Sequence, residues 1–125
     1  MKFAVISDIH GNLPALEAVL ADIATLGIGQ IYHLGDLVGY NPFPDEVTAR
    51  IRELGIPGVV GNYDLAVAAD CADPVAEYLN PAISEMAKDI FRWTKARVHR
   101  DTVRYLLSLP RYLTIDAGER RLLLT

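Results

Sequence analysis

Ile31-Tyr32-His33-Leu34-Gly35-Asp36 is a four-residue apolar run that ends on a glycine and a carboxylate. Strands of a parallel sheet covered by helices are buried on both faces, so they read as short, nearly continuous apolar runs of this kind. Two other stretches share the design: Phe3-Ala4-Val5-Ile6 leads to Asp8, and Gly58-Val59-Val60 leads to Gly61-Asn62. Helical periodicity fills the gaps. Leu13, Leu16, Val19, Leu20, Ile23 and Leu26 recur at helical spacing, with Asn12 placed to cap the start and Gly27 to end it. A second helix opens on Pro44 with Asp45 and Glu46 at its positive end, and turns Val47, Ile51 and Leu54 inward before Gly55. The order is βαβαβ, and right-handed crossovers make its strands parallel neighbours.

Beyond Asn62 the pattern is helical. Asp73-Pro74 is a start signal and Asn80-Pro81 a break and restart. Ile83, Met86, Ala87, Ile90, Trp93, Thr94 and Val98 form an apolar stripe, which assigns Trp93 to packing. Asp101 is placed to cap a short helix carrying Val103, Leu106 and Leu107. After Pro110, Tyr112-Leu113-Thr114-Ile115, the turn Asp116-Ala117-Gly118-Glu119 and the run from Arg120 to Thr125 predict strand, turn, strand.

The 125 residues fit one domain, 1–125, with 51% apolar and 22% charged residues, which excludes a disordered tail. Net charge is −4, and up to Asn62 three basic residues stand against seven acidic ones, so a nucleic-acid surface is not the main function. The basic run Lys88, Arg92, Lys95, Arg97, Arg100, Arg104 and Arg111 reads as a solvated helix face balanced by Glu85, Asp89 and Asp101; the sharper alternative is a flank that steers phosphate-bearing substrates. A lone Cys71, expected to be at least half buried, excludes an intrachain disulfide and a cysteine zinc site. No apolar stretch spans a bilayer and no secretory leader opens the chain, so the expected location is cytoplasmic and no membrane partner is expected.

Each expected parallel strand finishes beside a polar residue: Asp8, Asp36 and Asn62, with His10 two places after Asp8. In open α/β sheets the ligand site lies beyond the carboxyl ends of the strands, so three separate stretches deliver ligands to one place. Any one of these residues has an ordinary reading as a turn residue or cap. Their conjunction, with Gly11, Gly35 and Gly61 each sitting beside one of them, points to a site. Carboxylate, imidazole and amide together suit a divalent transition metal better than calcium. Asp36, on the middle strand, is placed to bridge a pair of ions. Gly11 allows close approach, and the helix opening at Asn12 faces a phosphate-sized anion.

Asp8-Ile9-His10, Gly35-Asp36 and Gly61-Asn62-Tyr63-Asp64 resemble the D-x-H, G-D and G-N-H-D/E signature of the calcineurin-like metallophosphoesterases. Gly35-Asp36-Leu37-Val38-Gly39-Tyr40 looks like one bacterial subfamily, and Trp93-Thr94, Tyr105-Leu106 and Leu109-Pro110 are similar to its helical part. The resemblance implies an α/β fold, the N-terminal half of a four-layer α/β/β/α sandwich with a mostly parallel sheet flanked by helices; residues 112–125 would begin the second sheet. It implies two divalent transition metal ions (Mn, Fe, Zn or Ni), with Asp8 and His10 on the first, Asp36 bridging and Asn62 on the second. Asp36, Asn62 and Tyr63 would be the catalytic group, and Asn62, Gly11 and Asn12 the phosphate contacts. The reaction implied is hydrolysis of a phosphomonoester or phosphodiester, a small molecule or nucleotide, by metal-activated water.

Two departures qualify it. Tyr63 stands where the signature has a histidine, and a phenol of pKa about 10 is a poor proton shuttle at neutral pH. The family pattern also continues to a histidine after a strand like Leu122-Leu123-Leu124-Thr125 and to a G-H-x-H motif, both metal ligands, neither of which falls within these residues. His33 is expected to be packed and His99 exposed. The alternative reading is therefore a weak or inactive metal- or phosphate-binding module, and an uncovered sheet face predicts a homo-oligomer or a complementing half. Aspartate-nucleophile phosphatases need a second aspartate where His10 stands, and no phosphate-binding Lys-Ser/Thr loop occurs.

Overall fold

A computed structural model describes residues 2–70 and 80–125. Its elements are β1 (Ala4–Ile6), α1 (Leu13–Thr25), β2 (Ile31–His33), α2 (Pro44–Glu53), α3 (Asn62–Ala68), α4 (Pro81–Arg97), α5 (Arg100–Ser108), β3 (Leu113–Ala117) and β4 (Arg120–Leu124). The fold is mixed α/β, with five helices and a parallel sheet among the described residues. β1 and β2 pair in parallel, Ala4 opposite Ile31 and Ile6 opposite His33, and α1 is their crossover. Its cap is as expected: the Asn12 side chain accepts the Ala15 N–H at 3.1 Å, and Gly27 leaves the helix at φ +66°.

The expected third strand shortens to one bridge. His33 donates to the Pro57 carbonyl (3.0 Å) and accepts from the Val59 N–H (3.1 Å), but the Val60 N–H turns away to Pro110 (2.9 Å). Gly58 lies so close to the His33 ring that a Cβ there would sit 2.3 Å from it, which explains the glycine in this run. β3 and β4 form a separate antiparallel pair, tighter than expected: Asp116 stays in β3 opposite Arg121, and the turn centres on Gly118 at φ +70°.

Leu37, Val38, Val47, Ile51 and Leu106 are fully buried and form the centre of the core, joined by Tyr63 and Phe91. Burial of each such side chain stabilises by about 1.5–3 kcal/mol, so Leu37 and Val38 tie the loop after β2 into the core. Leu54, at the end of α2, and Val19 and Leu26 of α1 are exposed instead of facing inward.

α4 departs further from its expected face. Of the expected stripe Ala87 and Thr94 are buried, but they share the inward face with Ser84 and Phe91. Small residues at 84 and 87 let α4 approach closely, Phe91 meets Tyr63 edge-on at 5.5 Å, and Thr94 satisfies its hydroxyl on the Ile90 carbonyl at 2.9 Å. Ile83, Met86 and Trp93 are left on the surface, Trp93 at 44% exposure, which corrects the packing assignment. Three residues of the basic run pair as expected within their own helices, Lys88 with Glu85, Arg92 with Asp89 and Arg104 with Asp101, while Lys95 reaches Asp70. Asp101 lies in the first turn of α5 but is not its cap. Asp45 of α2 reaches across to the His99 N–H (2.9 Å) and the Thr102 hydroxyl (2.5 Å), so α5 is capped from another element. The Asp73-Pro74 start signal and Cys71 lie outside the described residues.

Candidate metal centre

The two ligand-bearing loops are laced together by backbone. Past the ends of β1 and β2, Asp8 N–H donates to Gly35 (3.2 Å), His10 N–H to Asp36 (2.8 Å) and Gly11 N–H to Leu37 (2.7 Å). Asp8, His10 and Asp36 each thereby offer a ligand atom within 4.8 Å of the others. All three have positive φ (55°, 47° and 53°), a region uncommon for residues with side chains. Strain of this sort, of order 1–3 kcal/mol per residue, persists where the surroundings over-determine it, and it clusters at functional sites.

The His10 imidazole is oriented for coordination. Nδ1 lies 2.8 Å from the Val38 carbonyl, which can only accept, so Nδ1 carries a proton and Nε2 is the ring nitrogen turned toward Asp8 Oδ1, 3.6 Å away. Asn41 fixes the same residue from behind, donating to the His10 carbonyl from its side chain (2.9 Å) and its backbone (3.1 Å). The ring packs edge-on against Tyr40 and Tyr63. Two carboxylates beside an imidazole nitrogen whose other nitrogen is anchored is a donor set that fits a divalent transition metal.

Asp64 is the residue whose part the sequence did not disclose. Fully buried, it accepts the N–H groups of Leu37 (2.8 Å) and Val38 (3.1 Å) and, more weakly, of Gly61 (3.3 Å). It therefore fixes both the loop that follows Asp36 and the carbonyl that orients His10. Burial, reinforced by the nearby Asp36 charge and opposed by those backbone donors, raises its pKa to about 6. The only available signal was the fourth place of the Gly61-Asn62-Tyr63-Asp64 motif.

Asp36 Oδ1 accepts the Tyr63 N–H at 2.9 Å, in the first turn of α3. Asn62, the first residue of that helix, is exposed beside it. The Tyr63 ring points the other way: at 3% exposure it lies among His10, Tyr40 and Phe91, against Gly39. Gly11 uses its N–H within the chain and sits where a Cβ would be 2.7 Å from the Asn41 carbonyl. Several donors at the start of α1 are engaged too: the Asn12 N–H goes to Ile9, Pro14 has no N–H, and those of Ala15 and Leu16 go to Asn12. Asn12 itself lines a cleft of about 390 Å³ with Asp8, His10, Tyr40 and Asn41.

These observations define an α/β protein with a carboxylate–imidazole cluster beyond the carboxyl ends of its parallel strands. The chain belongs to the calcineurin-like phosphoesterase superfamily, a metal-dependent group whose domain matches residues 1–125. It is 44% identical over 108 residues to an uncharacterized protein of Methanocaldococcus jannaschii, covering 86% of this chain and 41% of that protein. Phosphodiesterase YfcE of Escherichia coli K12 is 36% identical over 77 residues, 54% of this chain and 42% of its own length. The crystal structure of a metallophosphoesterase from Sphaerobacter thermophilus superposes with a TM-score of 0.69 at 37% identity, over 93% of this chain and 43% of that one. The chain thus spans less than half the length of each of these proteins. Among the described residues no helix is long and apolar enough to cross a membrane.

Proposed function

We propose that this chain carries the N-terminal metal ligands of a phosphoesterase that hydrolyses a phosphomonoester or phosphodiester. The carrying observation is the gathering of Asp8, His10 and Asp36 ligand atoms within 4.8 Å, with His10 Nδ1 held on the Val38 carbonyl so that Nε2 faces Asp8. Asp8 and His10 would hold one ion, Asp36 would bridge, and exposed Asn62 would complete the second side. Manganese, iron, zinc and nickel all suit these donors. Ions bound there supply Lewis acidity toward a phosphate oxygen and acidify water. The chain's own part is to orient. Asp64 holds the Asp36 loop, Asn41 holds His10, and the Asn12 and Asn62 amides offer hydrogen bonds to phosphate oxygens. Gly11 serves the close approach of loops, since its own N–H is engaged.

We assign Tyr63 to the wall behind His10, in place of a proton donor to the leaving group. Its ring is buried, and this same observation favours the second reading, a metal- or phosphate-binding module of low activity. Exposed Met86, Tyr112 and Leu123 support self-association or a complementing half. Cytoplasmic residence rests on composition alone.

Metal analysis of the purified protein with manganese tests the first reading. Asp36→Ala is expected to lose bound metal, and full occupancy in that variant would sink the assignment. Turnover of an activated aryl phosphodiester separates the two readings: robust manganese-dependent hydrolysis excludes the binding-only module.

A further inference from the structure

A second cleft, of about 460 Å³, is lined by Tyr40, Asn41, Pro42, Asp89, Ile90 and Trp93. Tyr40 and Asn41 line both this groove and the cleft that holds Asp8 and His10, so the two adjoin. Tyr40 belongs to both environments: its ring touches His10 at 4.8 Å between centroids, yet 39% of the residue is exposed.

The backbone enforces that position. Tyr40 has φ +59°, rare for a bulky residue, and follows Gly39 at φ +95°; the Asn41 N–H closes the turn on the Gly39 carbonyl at 2.7 Å. Across the groove Trp93 stands out from α4 because the neighbouring stripe is the buried one, and the Arg97 guanidinium lies over its ring at 5.9 Å. Two partly exposed aromatic residues in a largely apolar groove match a planar aromatic ligand. At the rim the Asp89 carboxylate, paired with Arg92, supplies a hydrogen-bond acceptor beside a donor.

From this geometry we infer that the Tyr40–Trp93 groove binds the nucleobase of a nucleotide whose phosphate lies at the Asp8, His10 and Asp36 centre. The inference rests on the phosphoesterase reading and narrows its substrate to nucleoside phosphates. Base stacking on aromatic side chains is sequence-tolerant, so the groove selects a base over none more strongly than it selects among bases.

Trp93 is the one tryptophan of the sequence and reports on the groove directly. The purified protein with manganese is titrated with AMP, ribose 5-phosphate and adenosine, by calorimetry for affinity and by Trp93 fluorescence for location. AMP is expected to bind at least roughly fivefold more tightly than ribose 5-phosphate, the low end for stacking one base. AMP and adenosine should quench Trp93. Tyr40→Leu and Trp93→Leu should bring the AMP affinity down to that of ribose 5-phosphate, while Tyr40→Phe and Trp93→Phe keep the preference. Equal affinity for the two phosphates, a preference unchanged in both leucine variants, or no response to adenosine and AMP overturns the inference. Failure of ribose 5-phosphate to bind, with adenosine still quenching Trp93, would leave the base groove standing and count against the phosphoesterase reading.

Discussion

Gly61→Ala isolates what places Asp36. Gly61 has φ −80° and ψ 166°, an extended conformation open to alanine, so the substitution carries no backbone penalty. Its effect is purely one of space. The added Cβ would stand 2.1 Å from Asp36 Oδ1 and 2.2 Å from the Asp36 backbone nitrogen, against ordinary contacts of 3.4–4 Å. A flexible carboxylate could swing aside, but the backbone nitrogen cannot, so the Gly35-Asp36 turn must move by about 1 Å. Overpacking of this kind costs roughly 1–3 kcal/mol of stability. The displaced carboxylate also loses its 2.9 Å bond from the Tyr63 N–H and its place beside Asp8 and His10. Disturbing a metal ligand's supports typically weakens binding 10- to 100-fold, and manganese affinity should fall by roughly that much. The control is Gly55→Ala, where φ is +62° and nothing lies within 4 Å of the added carbon. It should cost about 1–2 kcal/mol through left-handed backbone alone and leave metal affinity intact. Urea unfolding and calorimetric manganese titration of both variants decide the matter. A Gly61→Ala protein that binds manganese as tightly as the parent would refute the reasoning.

Two further outcomes follow from buried ionisable groups. Asp64→Ala leaves the Leu37 and Val38 N–H groups without their acceptor, at about 1–3 kcal/mol each, whereas Asp64→Asn keeps an acceptor and sheds the buried charge. Urea unfolding at pH 7 should therefore find the alanine variant clearly less stable than the asparagine one, and equal stabilities would contradict the clamp. His33 is fully buried, and burial lowers its pKa from 6.5 to about 4. Between those values the unfolded chain binds the proton and the native one does not, so this contribution is complete above pH 6.5 and is lost as pH falls toward 4. The total approaches roughly 3 kcal/mol, at about 1.4 kcal/mol per pH unit. A His33→Gln variant should lose less stability than the parent between pH 7 and pH 4.5; parallel pH profiles would dismiss the role of His33.

What the sequence disclosed and what it withheld divide along the range of the interactions concerned. Caps and breaks are local: Asn12, Gly27, Pro44 and Asn80-Pro81 act within a turn of their own positions, and the structure keeps them there. The inward face of α4 is not local. Stripes 83, 86, 90 and 84, 87, 91 are both helical, and the buried one is the one whose Phe91 meets the Tyr63 ring, a residue distant in sequence. The cap of α5 was missed for the same reason, since Asp45 is far from it in sequence.

The centre itself mixes both kinds of information. Asp8, His10 and Asp36 could be named because they follow apolar runs, His10 beside Gly11 and Asp36 beside Gly35, and Asp and His are among the few side-chain-bearing residues that tolerate positive φ. What could not be named was their support. A charged residue in a first helical turn ordinarily answers to the helix dipole, and nothing local to Asp64 says that residues 37 and 38 will fold over it. Nor does an aromatic after Gly39 announce that it will touch His10. The candidate ligands are thus written where strands end, while their geometry is written in Val38, Asn41 and Asp64, through contacts 26 to 31 residues apart in sequence. Substitutions at those supporting positions should consequently alter metal affinity while leaving every predicted ligand in place.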